Sequence, residues 1–198
     1  MLERTYDRLK QIGIRYQGYV DTEQLKAEGL TNRQIGTFVE EGLLERISHG
    51  HYWLQCAEYS KPEDYRAIEV CIANPDAVIC ADSACYYQGL IEQEPQALSV
   101  ATLRSDRRKM QMNFPVARHY YSELMFGGFE KKSTKFGSYN IYDVERSVCD
   151  CFRFRNTLED GMLELIVESY QNRKDSQLER LLTYAKILRI EKMVRELL

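Results

Sequence analysis

The chain has 198 residues, 44% hydrophobic and 29% charged, which is enough apolar content to pack one substantial domain or two small ones. The 27 Lys and Arg against 30 Asp and Glu leave a net charge of −3 and exclude a chain-wide polycation that coats nucleic acid. No stretch approaches the ~18 uncharged apolar residues of a membrane span, and the opening charges Glu3, Arg4, Asp7, Arg8 and Lys10 are unlike a signal peptide, so the expectation is a cytoplasmic protein with no membrane partner.

Leu2, Tyr6, Leu9 and Ile12 fall at helical spacing, with Gly13 and Ile14 as a glycine stop and its apolar contact. Two matching start signals follow. Asp21 is an N-cap with Gln24 as its box partner and Val20 and Leu25 as a staple; Thr31 repeats the pattern with Gln34, Leu30 and Ile35. Gly29 lies between them, so two short helices joined by a tight turn, a helix-turn-helix, are expected. The second helix runs from Asn32 to about Glu41 and buries Ile35, Phe38 and Val39, leaving Arg33, Gly36, Thr37 and Glu40 outside. Leu43–Ser48 and His51–Leu54 have strand composition, and His49-Gly50 suits the positive φ of a two-residue hairpin turn.

The N-terminal unit therefore reads as a winged helix. Asn32, Arg33, Gln34 and Thr37 carry the donors and acceptors that base edges in a major groove require, and Arg46, His49 and His51 sit on the wing near phosphate. A protein-docking role stands beside this reading, because residues 1–60 carry 7 basic against 9 acidic side chains and Glu40 and Glu41 repel phosphate. A boundary is expected near Ala57–Lys61, dividing a domain of residues 1–58 from one of residues 59–198.

Ser60 and Pro62 open a helix that ends at Asn74-Pro75, and Ala77–Cys80 reads as a short buried strand. Asp82 caps a helix over Ser83–Gln88, stopped by Gly89. Leu98–Leu103, Pro115–Tyr121 and Ser138–Tyr142 are expected strands, and Asp143 caps a helix to Arg155. Leu158–Tyr170, Asp175–Leu188 and Ile190–Leu198 complete a helical last third, making the fold class α+β.

The six cysteines (56, 71, 80, 85, 149, 151) contain no Cys-x-x-Cys pair and read as reduced, buried small hydrophobes, so neither a metal nor a cofactor is expected. Glu130-Lys131-Lys132 downstream of Pro75-Asp76 has the form of some nuclease motifs, but the match is short, and no Walker or Gly-x-Gly-x-x-Gly pattern occurs. An enzyme is not the favoured reading. Residues 101–136 hold 8 basic against 3 acidic side chains. Arg104, Arg107, Arg108, Lys109 and Arg118, with Lys131, Lys132 and Lys135 after them, form either a positive surface for nucleic acid or an acidic partner, or a solvated, protected strand edge.

The order of motifs resembles the AbiEi family of antitoxins from abortive-infection (type IV) toxin–antitoxin systems. The resemblance runs through Gly42-Leu43-Leu44-Glu45-Arg46-Ile47 with Gly50-His51-Tyr52, through Ala81-Asp82-Ser83-Ala84 with Gly89-Leu90 and Ser99-Val100-Ala101-Thr102, and through Ile141–Asp150, where Ser147 stands for the family's threonine. It implies a regulator that binds inverted repeats in double-stranded DNA at its own promoter and represses it. It also implies a C-terminal domain that counters a nucleotidyltransferase-type toxin without stable binding. Arg33, Thr37, Arg46 and His49 match positions expected to face DNA. Asp82, Ser83, Glu145, Arg146 and Asp150 also match the pattern but read structurally: Asp82 and Asp143 as caps, Arg146 and Asp150 as an i, i+4 pair.

Overall fold

The computed structural model describes residues 2–55 and 60–197, and its architecture is α+β. The expected boundary at residues 58 and 59, and Cys56, lie outside the described residues. Among the described residues no helix is long and apolar enough to cross a membrane.

The N-terminal elements are α1 (Leu2–Tyr16), β1 (Tyr19–Asp21), α2 (Thr22–Ala27), α3 (Asn32–Glu40), β2 (Leu44–Ser48) and β3 (His51–Leu54). The three strands form an antiparallel sheet in the order β1-β3-β2. Both capping boxes close as the sequence requires: Asp21 accepts from the Gln24 amide at 2.8 Å and Thr31 from the Gln34 amide at 3.3 Å, and each glutamine reaches back to the cap. Leu9, Ile12, Leu25, Leu30, Ile35, Phe38, Leu44 and Leu54 close one core beneath them.

Two details of this half differ from expectation. α1 runs through Gly13 to Tyr16, and the stop is made by Gln17 and Gly18 at φ 57 and 94. Gly18 is required there because a Cβ would meet the Trp53 ring at 2.4 Å. The β2–β3 turn takes its positive φ at Gly50 alone, not at His49, and the register slips between Arg46 and Ser48.

The second half continues with α4 (Tyr65–Ala73), β4 (Val78–Ile79), α5 (Ala81–Tyr87), β5 (Leu98–Leu103), β6 (Val116–Tyr121), α6 (Glu123–Phe126), β7 (Phe129–Ser133) and β8 (Ser138–Tyr142). The helices α7 (Val144–Arg153), α8 (Met162–Gln171), α9 (Leu178–Ile187) and α10 (Glu191–Leu197) follow. The five strands form a mixed sheet, β6-β5-β4-β8-β7, with β4–β8 and β5–β6 parallel. Alternation along β8 sends Tyr139 and Ile141 into a core with Ala67 and Ile68 of α4, and Tyr142 into a core with Phe152 of α7 and Leu181 of α9. The five described cysteines are buried in these cores.

α4 begins at Tyr65 rather than Ser60, because the Pro62 carbonyl accepts the Tyr65 amide in a separate turn. α5 begins at Ala81, held at φ 49, and Asp82 accepts from the Ser83 amide and bonds the Ser99 side chain instead of capping. The C-terminal helices start later than expected, at Met162 and Leu178. The Arg146–Asp150 pair lies on one face of α7 at 3.1 Å, both side chains buried, with Arg146 also donating to the Met125 and Gly127 carbonyls.

Candidate nucleic-acid interface

Because Ile35 and Phe38 are buried, α3 turns Asn32, Arg33 and Thr37 outward, and all three are exposed. Arg33 has no side-chain bond to another described residue. Gln34 is half-buried, and its Oε1 accepts from the Thr31 amide at 2.9 Å and the Thr31 hydroxyl at 3.0 Å. Only its amide nitrogen is left for a ligand. The Thr37 hydroxyl donates to the Arg33 carbonyl at 3.1 Å, so its methyl is the group presented to a partner. Asn32 and Arg33 are therefore the exposed polar side chains that α3 leaves without a side-chain bond among the described residues, beside the Thr37 methyl.

The β2–β3 hairpin places Arg46 over the Tyr52 ring at 5.8 Å, with His49 at the exposed tip and His51 half-buried on β3. These three side chains line one cleft of about 440 Å³ with Lys109 and Gln111 from the β5–β6 connection and Ile72 and Ala73 from the end of α4. In the sequence the hairpin and the basic segment lie about fifty residues apart, with no local sign that they meet. The fold brings Lys109 to the hairpin.

A polar cluster built on the buried Glu69 fixes that meeting. Glu69 on α4 is 1% exposed and is bonded by Lys61 at 2.7 Å and by the Tyr19 hydroxyl at 3.1 Å. Lys61 also pairs with Glu45 of β2 at 2.9 Å, and Asn113 of the β5–β6 connection donates to the same Glu45 oxygen at 2.8 Å. Burial raises the Glu69 carboxyl despite the opposing pull of Lys61. Lys61, Glu69 and Asn113 were missed from sequence, because charges tens of residues apart leave no local period. Their only signal is polar residue type.

The basic segment does not act as one surface. Arg118 is spent internally, bonding Thr102 at 2.8 Å, the Arg108 carbonyl at 2.7 Å and Asp106 at 3.2 Å. Arg108 pairs with Asp76 and Asn74, both at 2.6 Å. Burial works to raise Asp106, but the Arg108 amide, the Asn74 side chain and Arg118 outweigh it and hold the carboxyl below its usual range. The Arg108–Asp76–Asp106–Arg118 set is a brace that shapes the loop. Arg104, Arg107 and Lys109 remain exposed and unpaired among the described residues. Lys131 and Lys132 lie on β7, an edge strand three places from β5, about 14 Å away at normal strand spacing, and do not line the hairpin cleft.

Glu130 and Lys132 share the exposed β7 strand, and Asp76 is tied to Arg108. Among the described residues no three His, Cys, Asp or Glu side chains come together as metal ligands.

No family model matches this chain, and no curated protein matches it. Among solved structures it is similar to the crystal structure of the RV2827C protein from Mycobacterium tuberculosis, with a TM-score of 0.66 at 12% identity, over 92% of this chain and 75% of that one. At that identity the likeness shows the fold alone, and it accords with the α+β architecture.

Proposed function

We propose that the chain is a DNA-binding antitoxin and transcriptional autorepressor, acting in the cytoplasm against a nucleotidyltransferase-type toxin, and not an enzyme. In this reading the N-terminal unit is a winged helix-turn-helix, α3 is its recognition helix and the β2–β3 hairpin its wing. The AbiEi resemblance supplies the antitoxin role, the toxin class and the operator at the chain's own promoter.

One observation carries the DNA part. The exposed Asn32, Arg33 and Thr37 on α3 accompany a cleft in which Arg46, His49 and His51 meet Lys109, and Arg104 and Arg107 of the same β5–β6 connection are exposed and unpaired among the described residues. Groups suited to base edges thus come with cations suited to phosphate, the division of labour that sequence-specific binding needs. A second reading, docking of the same unit on a protein, draws on the exposed Glu40 and Glu41 at the end of α3.

Fluorescence anisotropy on the duplex upstream of the gene, against a scrambled duplex, tests the proposal. Arg33→Ala is expected to weaken binding to the native duplex by roughly 1–3 kcal/mol while leaving the scrambled duplex nearly unaffected. Equal and weak binding to both duplexes by the wild-type chain favours the protein-docking reading.

A further inference from the structure

A cavity of about 600 Å³ lies between the segment leading into α4 and the β7–β8 hairpin. That is the size class of small-molecule sites. Its walls are unusually aromatic, with Tyr86, Tyr87, Phe136 and Tyr139 contributed by α5 and the hairpin. Tyr86 and Tyr87 meet edge to face at 5.2 Å, and Tyr87 and Tyr139 lie 5.8 Å apart. The hydroxyls of Tyr87 and Tyr139 are buried without a hydrogen bond, although Tyr139 is only 1% exposed. Such groups are costly unless a partner satisfies them.

Two cations stand at the same cavity. The Lys132 ammonium lies 5.7 Å over the Tyr139 ring and that of Lys135 lies 4.7 Å over Phe136. Neither is ion-paired among the described residues, and both side chains are exposed. The turn Thr134–Gly137 is pinned by the Thr134 amide and hydroxyl on the Gly137 carbonyl at 2.8 and 3.1 Å, so the lysines are carried on an ordered hairpin. The segment before α4 supplies two carboxylates, Glu63 and Asp64, with no ion pair among the described residues.

We infer that this cavity binds a nucleoside monophosphate unit whose base bears an amino group. Its base lies against the aromatic wall, its phosphate meets Lys132 and Lys135, and its amino edge donates to Asp64 or Glu63. Each feature selects a part of that ligand. The rings take a planar heterocycle, the exposed ammonium groups take an anion, and the carboxylates accept from an exocyclic amino group. This accounts for Lys132, which the DNA reading leaves without a role, and it is independent of that reading.

The ligand has two sources, a free nucleotide or an unpaired residue of single-stranded RNA. The probes are adenosine 5′-monophosphate and a ten-nucleotide oligoadenylate RNA, titrated against the full chain by calorimetry. Binding of either, weakened at least tenfold by Lys132→Gln/Lys135→Gln and unchanged by Arg33→Ala, supports the site. Tighter binding of the oligonucleotide assigns the source to RNA, and binding of the monophosphate alone assigns it to the free nucleotide. Both lysines are exposed, so matching thermal melts of variant and wild type are expected. Absence of binding to both probes at millimolar concentration, or binding that the double variant leaves unchanged, overturns the inference.

Discussion

Burial against Phe154, whose ring stacks on the imidazole with centroids 4.0 Å apart, pushes His119 down to about 4, so it is uncharged at neutral pH. The unfolded chain titrates this group near 6.5 and binds the proton first. Its contribution to stability is therefore complete above pH 6.5 and is lost as pH falls toward 4. The raised carboxyls of Glu69, Asp82 and Asp150 act in the opposite sense as the solution is acidified, so the imidazole is isolated only by difference. Urea unfolding of wild type and His119→Phe at pH 7 and pH 4.5 is expected to show the variant losing less stability, by about 2–3 kcal/mol. Equal losses in the two proteins would remove the buried-imidazole account. At this scale the sequence revealed residue types but not their bonds. Arg33 and Gln34 looked equivalent as base readers, yet the Gln34 oxygen belongs to the cap. Arg118 and Lys109 looked equivalent as surface cations, yet only Lys109 reaches the hairpin cleft.

Elements were legible where a local rule specified them. Both capping boxes, the β5 range Leu98–Leu103 and the β8 range Ser138–Tyr142 follow from caps and apolar runs that lie within a few residues of one another. β7 was not legible, because Phe129–Ser133 is exposed at every position and exists by pairing with β8, leaving no apolar alternation to detect. The stop of α1 was misplaced for a related reason. Gly13 satisfies the local rule as well as Gly18 does, and only the tertiary approach of Trp53 decides between them. Gly18→Ala is accordingly expected to cost about 3 kcal/mol, from a left-handed backbone and a clash with the indole, as read by the chemical denaturation midpoint. Gly13→Ala keeps the right-handed backbone of a helix and is expected to cost less than Gly18→Ala, and a reversed order would contradict the assignment.

Across the whole molecule, the cluster of Glu69, Lys61, Tyr19, Glu45 and Asn113 ties the three-stranded sheet to α4 and to the β5–β6 connection. That tie brings Lys109 of the basic segment to Arg46 in the hairpin cleft, while Arg104 and Arg107 of the same connection stay exposed and unpaired among the described residues. The segment totals of the sequence pointed to the surplus but not to its destination, which depends on contacts between distant parts of the chain. Under the proposed function, hairpin and loop grip phosphate together. The most direct test is the salt dependence of anisotropy on the native upstream duplex for wild type and for the Arg107→Gln/Lys109→Gln variant. With Arg46, Arg104, Arg107 and Lys109 each neutralising one phosphate, log K is expected to fall with log salt at a slope of about −3 to −4, and the variant to lose about 2 of it. A wild-type slope near zero, or one that the double variant leaves unchanged, would contradict the account.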